Sequence, residues 1–166
     1  MKKILFLAIL SIISMATAIA ITPQFFAFEI GNGAAYDIDS GDVVTSNGMG
    51  FTYSFSNDFK GGFNFVEINS VSIDTINISI VPMENVTLSM YSGQITGINS
   101  VTSVETKNLG FGIGLGYDFF TNNKSLFTSL GMYLDWYASG STVDGDPYAL
   151  NNGGVISMGL KTRIGI

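Results

Sequence analysis

The 166-residue chain has no cysteine and no histidine, three prolines, one tryptophan and only 12% charged residues. Without cysteine there are no disulfides to brace the fold in an oxidising compartment, and no lipidated cysteine of the kind that anchors bacterial lipoproteins. Without histidine or cysteine the Ser-His and Cys-His nucleophile systems and the usual zinc sites are excluded. The carboxylates Glu29, Glu67, Asp118 and Asp135 lie in different segments with no motif joining them, so no enzyme and no cofactor is expected. The net charge of −6 offers no basic face for phosphates, and nucleic acid is not expected as a partner.

Long apolar runs are also missing, except at the start. "MKKILFLAILSIISMATAIA" has Lys2 and Lys3, an apolar run from Ile4 to Met15, and overlapping A-x-A sites ending at Ala18 and Ala20. This is the layout of a cleaved secretory signal, too short to cross a bilayer as a helix. The expected division is a signal peptide over 1–20 and one domain over 21–166.

What the mature chain does have is a period of two. Phe26, Phe28, Ile30, Tyr36 and Ile38 alternate with Ala27, Glu29, Gly31, Gly33, Ala35 and Asp37, and Met49, Phe51, Tyr53 and Phe55 alternate with Gly50, Thr52, Ser54 and Ser56. In "LGFGIGLGYDFF" glycine stands at 110, 112, 114 and 116 between Leu109, Phe111, Ile113, Leu115 and Tyr117. Twelve residues cannot span a membrane as a helix, so this is a strand with one bulky face and one bare face. Similar alternation around Ile76–Ile80, Val86–Met90, Leu126–Tyr137 and Ile156–Ile166, together with a less regular run from Gly61, brings the expected number of strands to eight. The run from Gly61 breaks the pattern, with Phe63 and Phe65 on one face and Val66 and Ile68 on the other, which predicts a bulge or strand end there.

Turns are predicted near Asn57–Lys60, Pro82–Asn85 and Thr121–Lys124, and mostly longer loops at Asp39–Gly48, Asn69–Asp74, Gly93–Lys107 and Ala138–Gly154. Short turns at one end and long loops at the other is the arrangement of outer-membrane barrels. The face opposite the bulky residues is mainly Gly, Ser, Thr and Ala. It would make a poorly charged surface for a soluble protein, but it suits the filled interior of a narrow barrel. The expected fold is therefore all-β, an eight-stranded antiparallel up-and-down transmembrane β-barrel. Its bare glycines 110, 112, 114 and 116 would face the lumen beside inward Phe127, Tyr133 and Tyr137.

Closing such a barrel pairs the first strand with the last. Setting Phe25 near Ile166 brings Glu29 close to Lys161 and Arg163, an interior charge cluster serving as a structural plug or, alternatively, as a gate. Asp37, Asp39 and Asp42, with Asp144 and Asp146, form acidic loops that are candidates for weak cation binding, although neither has EF-hand spacing. Tyr36, Tyr53 and Trp136 are expected near the loop ends, and Phe55, Phe119 and Phe120 near the turn ends, as interfacial girdles.

With these features in place the chain resembles the small eight-stranded outer-membrane β-barrels of Gram-negative-type bacteria, a family that includes opacity-type surface proteins. The end of the chain also resembles their insertion signal, polar-x-Gly-x-x-aromatic-x-hydrophobic: Ser157, Gly159 and Ile164 match, while Thr162 replaces the aromatic. The resemblance implies a bacterial outer-membrane protein with lipid and the barrel insertion machinery as partners, in which no metal is required and a monomer is expected. It would act in adhesion or envelope integrity through an extracellular ligand or host surface at its loops. The alternatives are a minor pore gated by the charge cluster and a secreted soluble β-protein.

Overall fold

The computed structural model describes residues 26–38, 40–98, 105–122, 128–139 and 154–165. Its elements are eight strands: β1 Phe26–Asp37, β2 Val43–Ser54, β3 Phe59–Ile68, β4 Val71–Met83, β5 Val86–Ile98, β6 Glu105–Asn122, β7 Thr128–Ser139 and β8 Val155–Gly165. Each pairs antiparallel with its chain neighbour, and β8 pairs with β1 to close the barrel, so no sheet edge is left open.

The ladder fixes the shape of the barrel. Following partners from Ala27 through Thr52, Gly62, Asn77, Tyr91, Gly112, Tyr137 and Val155 leads back to β1 at Asp37, ten residues further on. At ~3.3 Å per residue and ~4.8 Å between strands, this stagger tilts the strands by roughly 40° to the barrel axis. An eight-stranded barrel of that tilt has room inside for side chains but not for a channel.

Side chains follow the period-two pattern. Phe26, Ile30, Met49, Phe51, Phe63, Phe65, Ile76, Ile78, Leu88, Met90 and the bulky face of β6 all point outward and are exposed, as are Leu130, Met132, Leu134, Met158 and Leu160. The opposite face supplies the interior, where Ser46, Thr52, Thr75, Ser79, Ser129, Asp135, Ser157 and Arg163 are buried. This inverts the polarity of a water-soluble domain.

The structure corrects the sequence reading of strands and connections in four places. β3 has no bulge: it pairs without interruption from Phe59 to Ile68, and Val66 and Ile68 simply point inward. The closing register is one residue away from the expected one, so Glu29 stands opposite Arg163. The β3–β4 connection is a two-residue turn containing Asn69 at φ 54°, matched at the other end by Glu84-Asn85 with Asn85 at φ 66°. Asparagine tolerates this left-handed conformation better than most side chains. Strand also extends through Val43–Gly48 and Gly93–Ile98 and begins again at Glu105, so among consecutive described strands only β7 and β8 have bounds more than ten residues apart.

Two irregularities do occur. The β4–β5 register shifts between Ile80 and Met83, where Pro82 has no N–H to give the ladder, and β6–β7 shifts between Asp118 and Phe120.

Candidate functional site

The interior is layered along the axis, and each layer is set by which residues alternate inward at that height. At the turn end, where β1 begins and β8 finishes, lies a charge network. Glu29 Oε1 accepts hydrogen bonds from Arg163 Nε at 2.7 Å and from Thr52 Oγ1 at 2.8 Å, while Lys161 Nζ stands 3.4 Å from Oε2. Arg163 Nη1 donates to Asp118 Oδ2 at 3.0 Å, and Ser129 Oγ donates to Asp118 Oδ1 at 3.3 Å. The network ties together β1, β2, β6, β7 and β8 across the seam where the two ends of the sheet meet. The Arg163 side chain is 5% exposed, so its charge depends on these partners.

Sequence reasoning missed Asp118 as a partner of Arg163. The available signal was the parity of β6, because residue 118 continues the inward series 110, 112, 114 and 116.

The middle layer is a carboxylate held by two phenols. Asp135 accepts from Tyr91 at 3.1 Å and from Tyr137 at 3.3 Å, and Asn64 Nδ2 donates to Tyr137 at 3.2 Å. The Tyr91 and Tyr137 rings lie 5.3 Å apart at 41°. The bare face of β6 makes room for this group. A Cβ on Gly114 would overlap Asp135 Oδ1 and come within 2.8 Å of the Tyr91 hydroxyl, and one on Gly112 would lie 2.9 Å from Tyr137 Cδ1. Gly110 is covered by Ile95, whereas Gly116 has only ordinary contacts, with Thr87 at 3.7 Å. Tyr133 points inward but lies over Gly31 across the β1–β8 seam, at 3.2 Å from a Cβ placed there.

The loop end is apolar. Ala35, Val66, Ile68, Ile73, Ile95 and Val155 pack with the Tyr137 ring, and Val44 and Val71 lean on the cluster. Beneath them Ser46 and Ser157 share a 2.7 Å hydrogen bond. Between the plug and the charge network remains a polar cavity of about 40 Å³, bordered by Lys60, Asn64, Asn77, Tyr133, Asp135 and Lys161. That is room for very few waters. Asn77 Oδ1 is the one buried side-chain polar atom without a protein partner among the described residues.

The other predicted positions are spread around the barrel. Asp37 ends β1, and its carboxylate accepts the Ser40 N–H at 3.1 Å, while Ser40 Oγ accepts the Asp42 N–H at 3.2 Å, as in a closed polar turn. Asp39, Asp144, Asp146 and Phe127 lie outside the described residues. Gly159 is pressed against the backbone of Asn32 and Gly33, and Ile164 points outward.

Tyr36 and Trp136 sit toward the loop end, with Trp136 and Phe111 5.7 Å apart. Tyr53 is at the turn end instead, because β2 runs from loop end to turn end. There Phe26, Tyr53, Phe55 and Phe59 form a chain of rings with successive centroids 4.8, 5.0 and 5.4 Å apart.

A closed ring of eight antiparallel strands, apolar on its outer wall and filled inside with layered side chains, is the architecture of a small up-and-down barrel. Solved structures share it. Neisserial surface protein A (NspA) superposes with a TM-score of 0.53 at 9% sequence identity, covering 86% of this chain and 96% of that one. A de novo designed transmembrane β-barrel superposes with a TM-score of 0.47 at 10% identity, covering 88% of this chain and 98% of the design. No protein-family model matches the chain, and no curated protein matches it in sequence.

Proposed function

We propose that the chain is an integral outer-membrane protein of a bacterium with a double-membrane envelope. In this reading it is delivered by a signal over 1–20, folded into lipid by the barrel insertion machinery, and acts as a structural or surface-interaction protein. The observation that carries the reading is the outer wall. Every strand turns large apolar side chains outward, and on β6 they run from Leu109 to Phe119 at every second position. At ~3.3 Å per residue and a tilt of roughly 40° this apolar stretch is about 25 Å tall, the height of a barrel's lipid-facing band. The charge network at one end and the apolar plug at the other support a closed barrel that holds its shape rather than passing solute. Contact with an extracellular ligand or host surface then falls to the loop-end rim and the β7–β8 segment.

The test is to fold residues 21–166 into detergent micelles and into planar bilayers. A strand-rich circular dichroism spectrum, a gel band that shifts on boiling, and no steady conductance are the expected results. A monomer that is soluble without detergent would overturn the reading. The polar cavity beside Lys161 favours one second reading, a minor pore gated by the charge network, and a stable single-channel current that changes with Arg163→Ala would select it.

A further inference from the structure

The apolar wall is not uniform. On β1 to β4 one outward rung is polar: Asn32 pairs with Asn47, Asn47 with Glu67, and Glu67 with Ser72. Two residues nearer the turn end the outward rung is Ile30, Met49 and Phe65, closing on Asp74, and below it come Phe28, Phe51, Phe63 and Ile76. These rungs border a groove of about 670 Å³ in the outer wall, large enough for part of an amphiphile. Its floor is apolar (Phe28, Ile30, Met49, Phe65) and its upper edge polar (Asn32, Asn47, Glu67, Ser72).

The charge on this wall is one-sided. Glu67 and Asp74 are exposed carboxylates. Asp74 accepts a hydrogen bond from Ser72 Oγ at 3.1 Å, and among the described residues no lysine or arginine points outward from β1 to β5. The one outward strand cation among them, Lys107 on β6, is 2.9 Å from Glu105. Two carboxylates near the rim of a lipid-facing groove, with no cation of the protein's own beside them, call for a cation from the ligand.

We propose that this groove binds a phospholipid whose headgroup carries a primary ammonium, of the ethanolamine type. Its acyl chain lies over Phe28, Ile30, Met49 and Phe65, its phosphate and ester oxygens accept from the side-chain amides of Asn32 and Asn47, and its ammonium pairs with Glu67. One strand spacing, ~4.8 Å, separates Asn47 from Glu67, which matches the short reach from a phosphate to its ethanolamine nitrogen. Asp74 lies outside the groove's lining, but it stands opposite Phe65 on the next strand and adds to the same negative potential. The proposal rests on the membrane-embedded reading and deepens it.

The experiment is native mass spectrometry of the full barrel released from detergent after exposure to an equal mixture of ethanolamine and glycerol phospholipids with matched acyl chains. Heat-shifted migration is checked on every sample first. A preference for the ethanolamine lipid on the order of tenfold is expected, reduced to near parity by Glu67→Gln and unchanged by Glu105→Gln, which removes a carboxylate away from the groove. Equal retention of the two lipids by a correctly folded barrel overturns the proposal. So does retention of the glycerol lipid only when magnesium is present, which would mean that the carboxylates hold a divalent bridge to an anionic headgroup. A chain that never gives the heat-shifted band overturns the membrane reading itself.

Discussion

Replacing Arg163 by alanine tests whether the charge network fastens the seam of the barrel. The guanidinium is nearly inaccessible and serves two carboxylates on different strands, Glu29 at 2.7 Å and Asp118 at 3.0 Å. Removing it leaves Asp118 with the Ser129 hydroxyl as its hydrogen-bond partner and Lys60 as the remaining nearby cation, while Glu29 retains Thr52 and Lys161. Breaking a buried ion pair from one side costs about 3–5 kcal/mol. Because Lys161 can partly compensate Glu29, the lower part of that range, about 3 kcal/mol, is expected. The assay is reversible urea unfolding of the barrel in lipid, read by band shift and circular dichroism, with the slope unchanged and the midpoint lowered. Combining Arg163→Ala with Asp118→Leu should recover more than about 1 kcal/mol, since the second change removes the orphaned charge. A loss below about 1 kcal/mol for the single variant, together with additivity in the pair, would refute the view that these charges depend on one another.

The glycine face of β6 gives a graded series: Gly114→Val, which collides with Asp135 and Tyr91, should cost at least about 3 kcal/mol or prevent folding, whereas Gly116→Ala should be nearly neutral in the same unfolding assay. In the apolar plug, Ile73→Ala should cost about 2–5 kcal/mol, because the side chain is fully buried among seven others. The outer wall separates a membrane barrel from a soluble one. Ile113→Lys, midway along the apolar face of β6, should destabilise the lipid-folded protein by about 2–4 kcal/mol, while Gln94→Lys near the loop end should cost less than about 1 kcal/mol. In a soluble protein neither substitution would carry such a penalty.

The alternation of bulky and small residues was legible because a closed barrel must sort its side chains to two environments, and parity alone then sends Glu29, Gly114, Lys161 and Arg163 to the same side. Less legible was anything that depends on the stagger between strands. Whether Asp118 reaches Arg163 depends on a ten-residue offset accumulated around eight strands, which no single segment carries. Val66 and Ile68 look like a break in β3 if the lumen is polar throughout, whereas this one ends in an apolar plug. The sequence overstates the loops for a related reason. Gly, Ser, Thr and Asn usually mark turns, but in a strand whose inner face must be small and whose outer face leaves the lipid, as in Val43–Gly48 and Gly93–Ile98, they are ordinary strand residues.

The uneven wall has a mechanical consequence. Counting the rise of each rung, Asp74 on β4 and Met158 on β8 stand within roughly one rung of each other along the axis, on opposite sides of the barrel. Above Met158 the outward residue of β8 is Ile156, and Phe111 and Trp136 continue the apolar face on the neighbouring strands. Above Asp74 stands Ser72, flanked by Glu67 and Thr96. A bilayer matches an apolar band by tilting the protein or thinning beside it, at a cost of fractions of a kcal/mol per Å of mismatch. With the band on the β4 side shorter by roughly 10 Å, both responses move that wall toward water. Because the chain has no native cysteine, spin labels can be placed singly through Asp74→Cys and Met158→Cys, and their depth read from the balance of oxygen and water-soluble relaxation agents. The label on β4 should report the headgroup region and the one on β8 the acyl region. Equal depths would mean that the barrel stands upright in an undeformed bilayer, and that the polar rung over β1 to β4 is buried in lipid without relief.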